Sequence, residues 1–268
     1  MLPLKDNIPS RTTPIVNYAL IGLCLLAFMV QVSDPDGGIT LKWGFIPSRV
    51  SKPDVPIVIE HHELVQTPFG LREETARTEV PAPPIPALMT ALTCVFLHGS
   101  VMHLLGNMWF LYIFGDNVED RLGHVGYLIF YLACGIAASL THYLSDPGST
   151  IPTIGASGAI AGVMGAYLLL YPHASVVALV PLGFLIQTMV IPAPFFLGLW
   201  FLMQLVQGSF AVGTAEAEGV AWWAHIGGFV VGFVVAWILG AAGQTSPRVV
   251  VVRPGTEQRF RRVRTPWD

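Results

Sequence analysis

Apolar residues along this chain gather into long runs instead of alternating with polar ones. The runs last roughly 15 to 20 residues, close to what a helix needs to cross a hydrocarbon layer roughly 30 Å thick. Six stand out: Ile15 to Val32, Val101 to Phe114, Tyr127 to Leu144, Ser157 to Tyr171, Phe184 to Val206 (interrupted by Pro192 and Pro194), and His225 to Ala242. Ala87 to Leu97 is too short to span, and Val176 to Val180 ends at Pro181, which suits a loop or interfacial piece. Lys5 and Arg11 precede the first run as they would in a secretion signal. Its apolar core is long, however, and no A-x-A cleavage pattern follows, so it reads as a retained anchor.

Composition agrees with the pattern. Of the 268 residues 53% are hydrophobic and only 12% charged, against roughly 25% charged in soluble domains, so the chain reads as an integral membrane protein. The net charge of -3 says nothing about nucleic acid, and no long basic stripe interleaved with aromatics appears, so no nucleic-acid partner is expected. The three cysteines, Cys24, Cys94 and Cys134, all lie in apolar runs and imply no disulfide framework.

Lys5 and Arg11 before the first run, and Arg248, Arg253, Arg259, Arg261, Arg262 and Arg264 after the last, place both termini on the cytoplasmic side. The expected fold is therefore an all-α membrane protein with an even number of crossings. Residues 1–242 form a six-helix membrane domain with a long outer loop at 33–98, and 243–268 form a basic cytoplasmic tail. Within the loop, Pro81 to Pro86 should be extended, and His61-His62-Glu63 reads as solvated chain in preference to a metal site, since no third ligand recurs at zinc spacing. In the tail, Arg248 to Arg253 reads as a short strand or extended chain, and its arginines either grip lipid headgroups or serve only as a topology anchor.

Polar side chains inside spanning helices are costly and usually mark function. His103 and Asn107 on the second run stand four apart and share a helix face, with His98 just before them. Seen alone they would pass for a hydrogen-bonded packing pair. Ser157, in the stretch Ile154 to Gly162, opens the fourth run between glycines and would alone pass for an N-cap. His225 opens the sixth, followed by Gly228 and Gly232 on one stripe, while Ser157, Ala161 and Gly165 form a stripe on the fourth.

Small residues beneath a polar one let two membrane helices approach closely. With the amino terminus inside, the second, fourth and sixth runs all begin on the outer side. His103, Asn107, Ser157 and His225 then share one depth, the arrangement of an active site. A serine hydroxyl needs a base, and a histidine partly removed from water stays neutral, as a base must. Asp146, Glu216 and Glu218 lie in outer loops, so the reading is a Ser157–His225 dyad. The Ser157 amide, Asn107 and His103 can supply oxyanion donors, each typically worth a factor of ~10² to 10³ in rate. The glycines around the serine, Gly155 among them, let backbone and substrate come close. Water must reach the sunken site, so a polar cavity lined by His98, His103 and Asn107 is expected, with Gly208 to Val220 as a candidate lid.

The segments HGSVMHLLGN, GASG and AHIGG, in this order and spacing, resemble the rhomboid intramembrane serine proteases across roughly Ile15 to Ala242. The resemblance implies a six-helix rhomboid-like bundle that cleaves the transmembrane segments of other proteins near the outer face. It also implies Ser157 as nucleophile, His225 as base, and His103 with Asn107 at the oxyanion. Gly115 to Gly123 looks like the family's turn after the second helix, where Glu119 and Arg121 have structural pairing roles. Some members stack a tyrosine on the histidine from four residues after the serine; here that position is Ala161.

Rival chemistries fail on residues. Ala159 breaks the G-x-S-x-G elbow, H-E-x-x-H is missing, and Ile113-Phe114-Gly115-Asp116 lacks the first glycine of the G-x-G-D type. A non-catalytic rhomboid-like binder predicts loss of the serine or histidine, yet both are present. A transporter predicts repeats of interrupted helices, of which there is one. The expectation is a cofactor-free, metal-free endopeptidase in a bilayer, in a bacterial inner membrane, with transmembrane proteins as partners and the oligomeric state open.

Overall fold

The computed structural model describes residues 1–67, 70–183, 185–211 and 221–241. Its first long helix, α1 (Ile15–Val32), coincides with the first apolar run. Pro14 at the N-cap offers no side-chain acceptor, so the free amides of the first turn must be satisfied from elsewhere. Glu119 does this: its carboxylate accepts from the amides of Val16 at 3.0 Å and Asn17 at 2.8 Å. Asp120 accepts from the amide of Thr12 at 3.0 Å and also from that of Arg11. The segment Gly115 to Gly123 thus clamps the start of α1, the structural role expected for Glu119.

The expected outer loop has structure of its own. It contains α2 (Gly38–Trp43), α3 (Ser48–Ser51) and a ten-residue antiparallel hairpin of β2 (Val58–Thr67) and β3 (Gly70–Glu79). His61, His62 and Glu63 occupy consecutive positions of β2, opposite Ala76, Thr75 and Glu74; the reading of this run as plain solvated loop is corrected. Residues 81–83 are neither helix nor strand, as four prolines between 81 and 86 would impose. A 3₁₀ turn at Ala87–Met89, α4 (Thr90–Thr93) and another 3₁₀ turn at Cys94–Phe96 follow. The chain then bends by 80° into α5 (Val101–Leu122).

From α5 the bundle continues through α6 (His124–Ser145) and α7 (Ser157–Leu170). The single span expected over Phe184 to Val206 is two elements. Leu185–Pro192 is strand β5, paired antiparallel to β4 (Ser175–Leu182), and helix α8 (Ala193–Ala211) starts only afterwards. β-branched residues fill both strands, Gly183 turns between them at φ 63°, and Pro194 falls in the first turn of α8, where its missing N–H breaks no bond. Val176 to Val180 is likewise strand. The amino-terminal β1 (Leu2–Asp6) completes a sheet of order β1-β4-β5, so the fold is mostly helical without being purely so. The last described helix is α9 (Trp222–Ala241).

Among the described residues four helices are long and apolar enough to cross a membrane, and a fifth counts if the bent pair at Ala87–Leu122 is one span. The remaining expected crossing is α7, with 14 residues. It is the most enclosed element, packed between α6 and α9. Of the expected lid, Gly208 to Ala211 form the end of α8, while 212–220 and the Arg248 to Arg253 segment lie outside the described residues.

On the face opposite Ser157, the carboxylate of Asp6 accepts from Asn117 Nδ2 at 2.9 Å and Tyr167 Oη at 2.5 Å, tying β1 to α5 and α7. Burial, reinforced by the neighbouring charge of Asp116, pushes the Asp6 carboxyl up to about 7 against the pull of the Tyr167 hydrogen bond.

Candidate active site

Ser157 is the first residue of α7, and the N-cap is Ala156, with no side-chain capping bond. Its hydroxyl lies instead 2.8 Å from His225 Nε2, across 68 positions of sequence. The N-cap alternative for this serine is therefore set aside.

What brings the pair together is a seam of glycines. A Cβ on Gly228 would lie 2.0 Å from the carbonyl oxygen of Gly158, one on Gly232 2.0 Å from that of Gly162, and one on Gly165 2.2 Å from that of Phe229. The α7 and α9 backbones thus touch where any side chain would hold them apart. On α7 the seam runs through Gly158, Gly162 and Gly165, sharing Gly165 with the expected Ser157–Ala161–Gly165 stripe and lying one position over from it at the other two. That offset leaves Ser157 at the seam's edge, facing open space, while Ala161 is fully buried.

His225 is held from its other side. Its Nδ1 is 2.7 Å from Gln204 Oε1 on α8, and the rings of Trp200 and Trp222 lie at centroid distances of 5.9 and 6.2 Å. These three residues do for His225 what Ala161 cannot. The sequence reading passed over Gln204, although an amide between Met203 and Leu205 in an apolar helix was the available signal. The tryptophans carried none, being unremarkable in a membrane span.

His103 and Asn107 enter from α5. Ser100 caps this helix by accepting from the His103 amide at 3.1 Å, which fixes the first turn. His103 Nδ1 accepts from the Gly99 amide at 3.3 Å, so the ring proton resides on Nε2. Asn107 Nδ2 is buried and has no partner among the described residues. Gly155 lies against both: at φ 126° it adopts a conformation that side chains resist, and a Cβ there would sit 2.8 Å from His103 Nε2 and 3.6 Å from Asn107 Nδ2.

Ser157, His225, His103, Asn107 and Gly155 all line one cavity of about 520 Å³, with Ser100, Ser139 and Thr153 adding polar wall. His98 is the exception among the expected site residues. Its side chain is only 2% exposed and packs edge-on behind His103 at 5.2 Å, and its backbone amide bonds to Gln31 Oε1 at 2.9 Å. The bend before α5 turns it inward, so it supports His103 and does not line the cavity.

The ensemble places a hydroxyl with a proton acceptor in contact with it, two side-chain N–H donors converging over a glycine, and room for an extended segment. The Ser157 amide, in the first turn of α7, is free of the helical ladder and adds a third donor. Such a set can carry nucleophilic acyl transfer.

Comparison with known proteins gives the same direction. The family model for the Rhomboid domain matches residues 86–242. Rhomboid-like protein 11, chloroplastic, of Arabidopsis thaliana is 32% identical over 58% of this chain and 53% of its own length. Rhomboid protease GluP of Bacillus subtilis is 34% identical over 56% of this chain and 25% of its own. Rhomboid protein 1, mitochondrial, of Saccharomyces cerevisiae is 30% identical over 55% and 40%. The chain spans about half the length, or less, of these relatives. Their names come from chloroplast, mitochondrion and a bacterium, so the likeness carries a multi-pass membrane protein and not the expected bacterial inner membrane.

Proposed function

We propose, from the premise that this chain belongs to the rhomboid family, that it is an intramembrane serine endopeptidase in which Ser157 is the nucleophile and His225 its base. The observation that carries the reading is the 2.8 Å contact between Ser157 Oγ and His225 Nε2 at the wall of the 520 Å³ cavity.

As Oγ bonds to the scissile carbonyl carbon, its proton passes to Nε2 and the carbonyl oxygen becomes an oxyanion. The Ser157 amide, Asn107 Nδ2 and His103 Nε2–H surround the space over Gly155 where that oxygen would sit, and the partnerless Asn107 amide is supplied with an acceptor. The imidazolium then gives its proton to the departing amine as the C–N bond breaks, leaving an acyl ester on Ser157. Water from the cavity gives a proton to Nε2 as it attacks the ester, and the imidazolium returns that proton to Ser157 Oγ as the C–O bond breaks, freeing the acid. The chain's own groups handle every proton and charge in this sequence.

Substrates are transmembrane segments of other proteins, cleaved near the face on which α5, α7 and α9 begin. The cavity lies beside these helix starts, and a peptide must be extended to enter it, so cleavage should favour stretches with small or helix-breaking residues. Basic residues at both ends of the sequence support termini in the cytoplasm and a site toward the outer face.

The test is cleavage of a model transmembrane substrate, together with labelling by a fluorophosphonate, for wild type, Ser157→Ala and His225→Ala. Wild type should turn over and label, and both variants should fall to background. Turnover surviving in either variant, or a wild type inert to both probes, overturns the assignment, the second result favouring a non-catalytic binder.

A further inference from the structure

We infer that Gln204 is a positioning residue, whose side-chain carbonyl sets the tautomer of His225 and so keeps a lone pair facing Ser157. The inference rests on the proposed roles of those two residues and adds a third member to them.

Gln204 is buried, 6% exposed, in the middle of α8, while Gln207 on the same helix is exposed. A buried amide in an apolar helix is costly unless paired. Its partner is His225 Nδ1, at 2.7 Å.

A neutral imidazole carries one N–H, and the partner of one nitrogen decides the state of the other. With Oε1 facing it, Nδ1 must hold the hydrogen. Nε2 then presents its lone pair to Ser157 Oγ, 2.8 Å away. The two bonds form one relay: Ser157 donates to His225, and His225 donates to Gln204. When Nε2 takes the serine proton, Nδ1–H remains bonded and the carbonyl dipole faces the new positive charge.

An amide also explains why no carboxylate is needed here. A carboxylate at this depth would have to exchange its hydration for the imidazolium, whereas the amide orients the ring without carrying charge. Its weakness is that it reads both ways: turned by 180°, Gln204 would offer Nε2–H to Nδ1 and drive the ring hydrogen to Nε2, pointing the base away from its task. The nearby titratable groups acting on His225 are His103 of α5 and His142 of α6, both imidazoles.

The experiment uses the full chain in detergent with a fluorogenic transmembrane substrate, comparing wild type, Gln204→Leu, Gln204→Glu and, as blank, Ser157→Ala. Gln204→Leu keeps the volume and removes the acceptor: kcat should fall by roughly tenfold or more, the worth of one hydrogen bond, with KM and thermal midpoint little changed. Gln204→Glu restores an acceptor and adds charge, so it should turn over and move the acidic limb of the kcat/KM profile to higher pH, because a carboxylate favours the imidazolium.

Wild-type kcat in Gln204→Leu overturns the inference. So does a Gln204→Glu profile identical to wild type, which would mark Gln204 as packing only. Should Gln204→Leu fail to fold, the pH profile of Gln204→Glu decides alone. These outcomes are distinct from failure of the protease reading, which would show as an inactive wild type or an active Ser157→Ala and would take the Gln204 role down with it.

Discussion

A single methyl group on the α7–α9 seam should disable the chemistry without touching a reactive residue. In Gly228→Ala the new Cβ would fall 2.0 Å from the Gly158 carbonyl oxygen and 2.9 Å from its carbon. Non-bonded heavy atoms settle near roughly 3.5 Å, so the helices must part locally by about 1.5 Å. Gly158 directly follows Ser157, and Gly228 lies one turn from His225, so little of that displacement can be absorbed before it reaches the pair. Added to the present 2.8 Å, it takes the Oγ–Nε2 separation to about 4 Å, beyond any hydrogen bond. A misplacement of about 1 Å can cost ~10²-fold in rate, so kcat/KM should drop by at least that factor. Gly106→Ala and Gly198→Ala are the controls, because a Cβ at either meets nothing within 4 Å. The assay is turnover plus the rate of fluorophosphonate labelling, with thermal unfolding in detergent to confirm a folded variant. A folded Gly228→Ala protein within about threefold of wild type would refute the claim that backbone contact sets the dyad.

Two further outcomes follow from the opposite end of the bundle. Glu119→Ala strips the acceptor from the buried Asn17 amide and from Val16, which should lower stability by roughly 1–3 kcal/mol or more and appear as a fall in thermal midpoint. Since Glu119 is 12 positions from Asn107, about 18 Å along α5, kcat should hold. For Asp6, folding raises the carboxyl from 3.8 to about 7, so the folded state holds a proton that the unfolded chain has released. Its contribution is full below pH 3.8 and is lost as pH rises through 7. Thermal unfolding between pH 5 and 8 should show this slope in wild type and a flatter one in Asp6→Asn, and equal slopes would refute it.

Much of the site was legible because its residues break a simple background. In a chain so apolar, His103, Asn107, Ser157 and His225 announce themselves. The hairpin of β4 and β5 was hidden by the same background: Leu185 to Ile191 is as apolar as the helix that follows it, and composition alone does not separate a strand from the start of a span. Gln204 is a single amide in an apolar helix whose partner, His225, lies 21 positions on in another helix, so nothing local signals the pairing. The inward turn of His98 depends on the 80° bend before α5, which no local pattern encodes. Where Ala161 left the support of His225 unexplained, the answer came from α8 and from Trp222, elements whose proximity is purely tertiary.

For the proposed protease, the brevity of α7 would set the depth of the reaction. Fourteen residues rise about 21 Å, whereas the hydrocarbon layer is about 30 Å thick. Such a rod is about 9 Å short of that thickness, while its neighbours α6 and α9 have 22 and 20 residues, and the cavity lies over its first residue. Under the proposed protease reading, water would stand in that recess without opening the protein's flank to acyl chains, and hydrolysis would be compatible with an intact lipid seal because one column of the bundle is truncated.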